Sequence, residues 1–358
     1  MLTSVSRKRT PLEDELTRLL EENVPNARDC RLVGRVLGWD GQGGCFLKSA
    51  GDEVGITRER ARQIYDQAIE QICTAEVSPA LDEVLAFVSR MSNRLADDIE
   101  AELQLRGFTK FRFPIRALLK TAQVFGRVPE LNLEETGGKL FVVASAGLAR
   151  LIIKTALRSS SRRGVQNVSA LRSAIPTIHR RGDDSLFIRQ VLNTRPDLRW
   201  LDSEGTFWLA SVPRNPLVRC LEKVIGYASP VAFSDLHRAM RRLLAKRKAT
   251  LSHSLLIKFC EQVPFCRVAN GCVERVAPLD ASNLISDAER IVCRILRRNG
   301  NELSVERLQS LCTSAGVGAP NLWRILLHSP LIFRCAPHIY RVITPSSHPI
   351  EAVEARTA

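Results

Sequence analysis

A mainly α-helical chain carrying small β-ribbons is the fold class this sequence predicts, on three observations. Apolar residues recur at helical spacing along most of the chain. A proline followed by strand, turn and strand recurs four times, at Pro129, Pro196, Pro264 and Pro330, an interval of 66 to 68 residues. The length, 358 residues, exceeds what one hydrophobic core ordinarily supports, so several domains are expected.

The first element to justify is the stretch "GDEVGITRERARQIYDQAIEQI" at 51–72. Placed on a helix from Thr57, Ala61, Ile64, Ala68 and Ile72 share one face, while Arg58, Glu59, Arg62 and Gln63 turn away from it. Thr57 suits the N-cap, because its hydroxyl can accept from an otherwise unpaired first-turn amide. Before it, Val54, Gly55 and Ile56 form a turn, with Gly55 free to take the left-handed conformation a sharp corner needs. A second helix, about Leu47 to Glu53, precedes the corner, and Gly51 lets the two helices cross closely. Together they predict a helix-turn-helix, in which the second helix enters the major groove of DNA. Arg58, Glu59 and Gln63 are then the base-reading candidates: Arg bridges guanine O6 and N7, Glu accepts from cytosine N4, and Gln pairs with adenine. Thr57, Arg60 and Arg62 are placed for the phosphate backbone.

"VGITRERARQI" resembles the recognition segment of region 4 in the primary bacterial sigma factors, the sigma-70 class. The likeness runs without a gap over residues 47–72, and more loosely back through "RDCRLVGRVLGWDGQGGC" at 28–45. It implies contact with a minus-35 promoter element. The family's base-reading positions fall on Arg58, Glu59 and Gln63, and its backbone-contacting positions on Thr57, Arg60 and Arg62. Beyond Ile64, "YDQAI" departs from the family pattern. Only 46 residues precede this segment, too few for the promoter-melting and core-binding regions, so a self-sufficient sigma factor is not expected.

The four repeats follow, ending in "RVPELNLEETGGKLFVVA", "TRPDLRWLDSEGTFWLA", "QVPFCRVANGCVERVA" and "HSPLIFRCAPHIYRVI". Each ends in a two-stranded ribbon about a tight turn, after three helical segments. In the third, Asn215, Ser234 and Ser252 are candidate N-caps. Three helices and a small wing describe a winged-helix-like module. The expected domains are a sigma region 4-like domain at 1–78, winged-helix-like modules at 79–146, 147–212, 213–278 and 279–344, and a flexible tail at 345–358. The adjacent acids Glu134 and Glu135 are expected in an exposed wing turn.

Net charge is +14, and residues 146–250 hold 20 Lys and Arg against 7 Asp and Glu. That local excess favours a polyanionic partner, and Arg241, Arg242, Lys246, Arg247 and Lys248 are candidates to track a phosphate backbone. Ten cysteines contain no C-x-x-C pair, so thiols that are buried or inert are expected rather than a metal site. The glycine-rich "GWDGQGG" at 38–44 follows no strand and lacks a Gly-Lys-Ser/Thr, which marks a loop and not a phosphate cradle. The six histidines show no ligand or catalytic spacing, and neither an enzyme nor a cofactor is expected. No apolar run of about 18 residues and no signal-peptide pattern is present, so the expected setting is the bacterial cytoplasm, at the nucleoid and without membrane contact. The reading is a DNA-binding transcription regulator acting on double-stranded DNA. Alternatives are a nucleoprotein scaffold for replication or a mobile element, and an adaptor to RNA polymerase with little DNA selectivity.

Overall fold

The computed structural model describes residues 10–73, 79–175, 184–246, 251–279 and 283–346. Arg247, Lys248 and the tail from residue 347 lie outside the described residues. The described chain is mainly helical, 54% helix, with small antiparallel three-stranded sheets. Among the described residues no helix is long and apolar enough to cross a membrane. Two compact units divide the chain: residues 1–152 with 175–195, and residues 153–174 with 196–358.

The first unit opens with α1 (Leu12–Asn23), α2 (Ala27–Leu37), α3 (Leu47–Glu53) and α4 (Arg58–Ile72). Then come α5 (Pro79–Arg90), β1 (Arg94–Leu95), α6 (Ala96–Leu105), α7 (Ile115–Val124), β2 (Asn132–Thr136) and β3 (Lys139–Val143). Its core is one apolar cluster reaching from Leu12 to Val142, so α1–α4 and the first repeat bury their apolar faces together. Polar contacts also run between them. The Trp39 indole donates to Thr121 Oγ1 at 2.8 Å, and the Glu13 carboxylate accepts from the Lys110 and Phe111 amides at 2.9 and 3.2 Å. Gly38 ends α2 in the left-handed conformation, φ 80°, where a Cβ would meet Gly44 N at 2.8 Å.

The chain continues in α8 (Leu148–Arg163), β4 (Gln166–Asn167) and α9 (Val168–Ser173), then α10 (Asp184–Leu192), β5 (Leu198–Trp200) and β6 (Thr206–Leu209). The second unit ends with two further repeats. The first is α11 (Pro216–Tyr227), β7 (Val231–Ala232), α12 (Phe233–Lys246), α13 (His253–Glu261), β8 (Cys266–Ala269) and β9 (Cys272–Arg275). The second is α14 (Asp287–Arg298), β10 (Glu302–Ser304), α15 (Val305–Ser314), α16 (Ala319–His328), β11 (Ile332–Ala336) and β12 (Ile339–Val342). Apolar residues of this unit form one cluster from Val165 to Ile343. Lys223 on α11 and Glu289 on α14 pair inside it at 2.6 Å.

The order helix, strand, helix, helix, strand, strand therefore occurs four times. Each ribbon is three-stranded, not two-stranded as expected: a short strand ahead of the second helix pairs with the last strand, giving the orders β1-β3-β2, β4-β6-β5, β7-β9-β8 and β10-β12-β11. Two residues suffice for this pairing, as in Val231↔Val273 and Ala232↔Cys272, and so short a strand leaves no alternation to read. The same pairing corrects the cap expected at Ser234. The strand β7 runs straight into α12, the Phe233 amide donates to Gly271 O at 3.0 Å, and the helix has begun before Ser234. Asn215 and Ser252 do cap their helices, accepting from Leu217 N and Leu255 N respectively. The turns Gly137–Gly138 and Asn270–Gly271 lie at positive φ, as two-residue hairpins of this hand require.

Glu134 departs from its expected exposure. It lies in β2, 7% exposed, and its carboxylate accepts from Ala149 N at 2.7 Å, in the first turn of α8, where amides lack intrahelical partners. Glu135, on the other face of the strand, is exposed and pairs with Arg116 at 2.8 Å. Of the ten cysteines, all reduced, six are buried, while Cys73 and Cys335 are exposed.

Candidate nucleic-acid interface

The helix α4 is seated by its sequence. Ala61, Ile64, Ala68 and Ile72 are buried, and Thr57 closes the N-terminus by accepting from Arg60 N at 3.3 Å, a cap worth about 1 kcal/mol. The turn from α3 depends on two glycines. Gly55 sits at φ 72°, and a Cβ on Gly51 would stand 3.0 Å from Ile56 O and 3.3 Å from the Ala61 Cβ. The Ile56 amide donates to Gly51 O at 2.9 Å, which locks the corner.

With that face spent, Thr57, Arg58, Glu59, Arg60, Arg62 and Gln63 are all exposed on the first two turns. Four of them pair side chain to side chain, with each other or with Asp66. Arg62 donates to Glu59 at 2.8 Å and to Asp66 at 2.9 Å, and Arg60 donates to Gln63 Oε1 at 3.2 Å. The Arg62 guanidinium hydrogen-bonded to it holds Glu59 below the usual carboxylate range, so this residue is ionised and offers only acceptors. Further along, Asp66 and Glu70 are exposed as well, and α4 turns from cationic at its start to acidic in its second half.

Arg58 has a different setting. It borders a cavity of about 560 Å³ together with Phe46, Lys48, Tyr65 and Lys120. Lys120, on α7, donates to Val36 O at 3.3 Å and lies 5.5 Å from the Tyr65 ring centroid. Burial lowers the Lys120 pKa and raises that of Tyr65, and burial likewise raises the Cys45 thiol on the cavity's edge. Phe46, immediately before α3, is 85% exposed. Sequence reasoning missed Lys120, whose partners are 55 and 84 residues away.

The second set of expected phosphate contacts falls on another element. Arg241 is exposed near the end of α12. Arg242 and Lys246 belong to the same helix, with side chains outside the described residues. Among the described residues no group of three His, Cys, Asp or Glu could hold a metal ion. His237 and His253 stack edge to face with centroids 5.7 Å apart, and His237 Nε2 contacts Leu251 O at 3.2 Å, a packing arrangement between α12 and the start of α13. Neither a protein-family model nor any curated protein matches this chain.

Proposed function

We propose that this chain is a DNA-binding transcription regulator that reads double-stranded DNA with α4, in the manner of a helix-turn-helix. The observation that carries the reading is the division of α4. Four apolar residues are consumed in the core while Arg58, Glu59 and Gln63, each matched in shape to a base edge, stand exposed on its first two turns. Thr57, Arg60 and Arg62 flank them for phosphates. The four repeats act as winged-helix-like modules whose cations add sequence-independent affinity. In this reading the protein works in the bacterial cytoplasm at the nucleoid, without catalysis or a cofactor.

Selection of bound duplexes from a random pool tests this. The expected outcome is an enriched motif of a few base pairs. A bound pool without any enrichment contradicts base reading.

The acids Asp66 and Glu70, exposed on the second half of α4, favour a second reading, an adaptor that contacts RNA polymerase through this helix. Like charge would repel a phosphate backbone at that end. Co-purification with polymerase, without duplex selectivity, would distinguish it.

A further inference from the structure

The helix α8 has the sequence LARLIIKTALRSSSRR, with five cations and no acid. Lys154, Arg158 and Arg162, in the second unit, recur at every fourth position, so they stack along one face at steps of about 6 Å. All three are exposed, whereas Ala156 and Ser160 on the other face are buried. Like charges at this spacing repel and weaken a helix. On α4, by contrast, Arg62 is neutralised by acids at both i−3 and i+4. The α8 sequence contains no acid, and among the described residues no ion pair reaches Lys154 or Arg158.

We propose that Lys154, Arg158 and Arg162 form a binding surface for the sugar-phosphate backbone of duplex DNA, supplying salt-dependent affinity separate from base reading by α4. The proposal rests on the DNA-binding reading above and names a contact surface for it. Charge complementarity selects the partner: the duplex carries one negative charge per about 1.7 Å of its axis, a linear array that a row of cations can follow. An anionic membrane fits less well, because an interfacial helix needs apolar residues beside its cations to enter the headgroup region. Here Leu151 is the one exposed large apolar side chain of α8, and the stripe is flanked by Thr155 and Ser159, whose hydroxyls can donate to phosphate oxygens.

The test uses the full chain carrying K154Q, R158Q and R162Q, since Gln keeps a long side chain and a similar helix propensity. Affinity for a random-sequence duplex is measured across salt from about 50 to 200 mM. The expected result is a log–log salt slope shallower by about 2 to 3, roughly 0.9 for each lost phosphate contact, with the thermal midpoint unchanged or slightly raised. An unchanged slope overturns the proposal, as does loss of binding to anionic vesicles with duplex binding intact. If the triple variant melts well below the parent, the single substitutions are measured instead, each expected to shift the slope by about 0.9. Selection from a random pool keeps the two claims apart. An enriched motif with an unmoved slope removes the α8 surface alone, a shifted slope without enrichment removes base reading alone, and no duplex binding at low salt removes both.

Discussion

Replacing Lys223 with Met is expected to cost about 3–5 kcal/mol of stability, because it strands a carboxylate that the fold has taken out of water. The Glu289 side chain is 5% exposed, and its Oε2 accepts from Lys223 Nζ at 2.6 Å. Its other oxygen has no hydrogen-bond partner. Glu289 also sits in the first turn of α14, three residues after the N-cap Ser286. The helix dipole there eases the charge, by at most about 1–2 kcal/mol. Replacing both partners, Lys223→Met with Glu289→Leu, should return most of the loss, since a well-packed apolar pair is often neutral against a buried ion pair. Thermal melting checks this. The single change should lower Tm on the order of 10 °C and the double change should lie near the parent, and equal destabilisation by both would show that packing, not charge, is at stake.

The other large effect is expected in the first unit. Trp39 is 3% exposed, stacks on Phe125 with centroids 6.3 Å apart and donates to Thr121. Trp39→Ala removes a large buried side chain from between the end of α2 and α7, at about 3–5 kcal/mol. Trp39→Phe keeps most of the ring and forfeits the hydrogen bond, at about 1 kcal/mol. Denaturant titration should show a lowered midpoint with an unaltered slope in both variants. Lys120, the neighbour of Thr121, borders the same cavity as Arg58.

What the sequence made legible was what neighbouring residues decide. The bounds of α3 and α4, the cap at Thr57 and the glycine corner are all set within about 25 residues of chain, by apolar spacing, one hydroxyl and two glycines. The four ribbons were visible for the same reason, as proline, strand and turn follow one another. What escaped was set by distant partners. The strand β7 exists because Val231 and Ala232 meet β9 about 40 residues on, and that meeting moved the start of α12 ahead of Ser234. Glu134 reads as a surface acid until Ala149 N is seen to need an acceptor. Likewise Lys120, Lys223 and Glu289 carry no local mark, because a charge becomes informative only once its burial and partner are known. On α4, the exposure of Arg58, Glu59 and Gln63 followed from helical geometry. The ion pairs of Arg62 with Glu59 and Asp66 required the side chains.

The most direct measurement of the central claim compares the parent and Arg58→Ala on the motif enriched from the random pool and on a random duplex, at one salt concentration. Arg58 is exposed on the first turn of α4, and base reading assigns it a bidentate contact with one guanine, worth about 1–3 kcal/mol. Arg58→Ala is expected to lose about 1–3 kcal/mol on the selected site and to relax preference at a single base pair, with binding to the random duplex nearly unchanged. Binding of the selected site with undiminished preference would contradict it, and α4 would then not be the element that reads DNA.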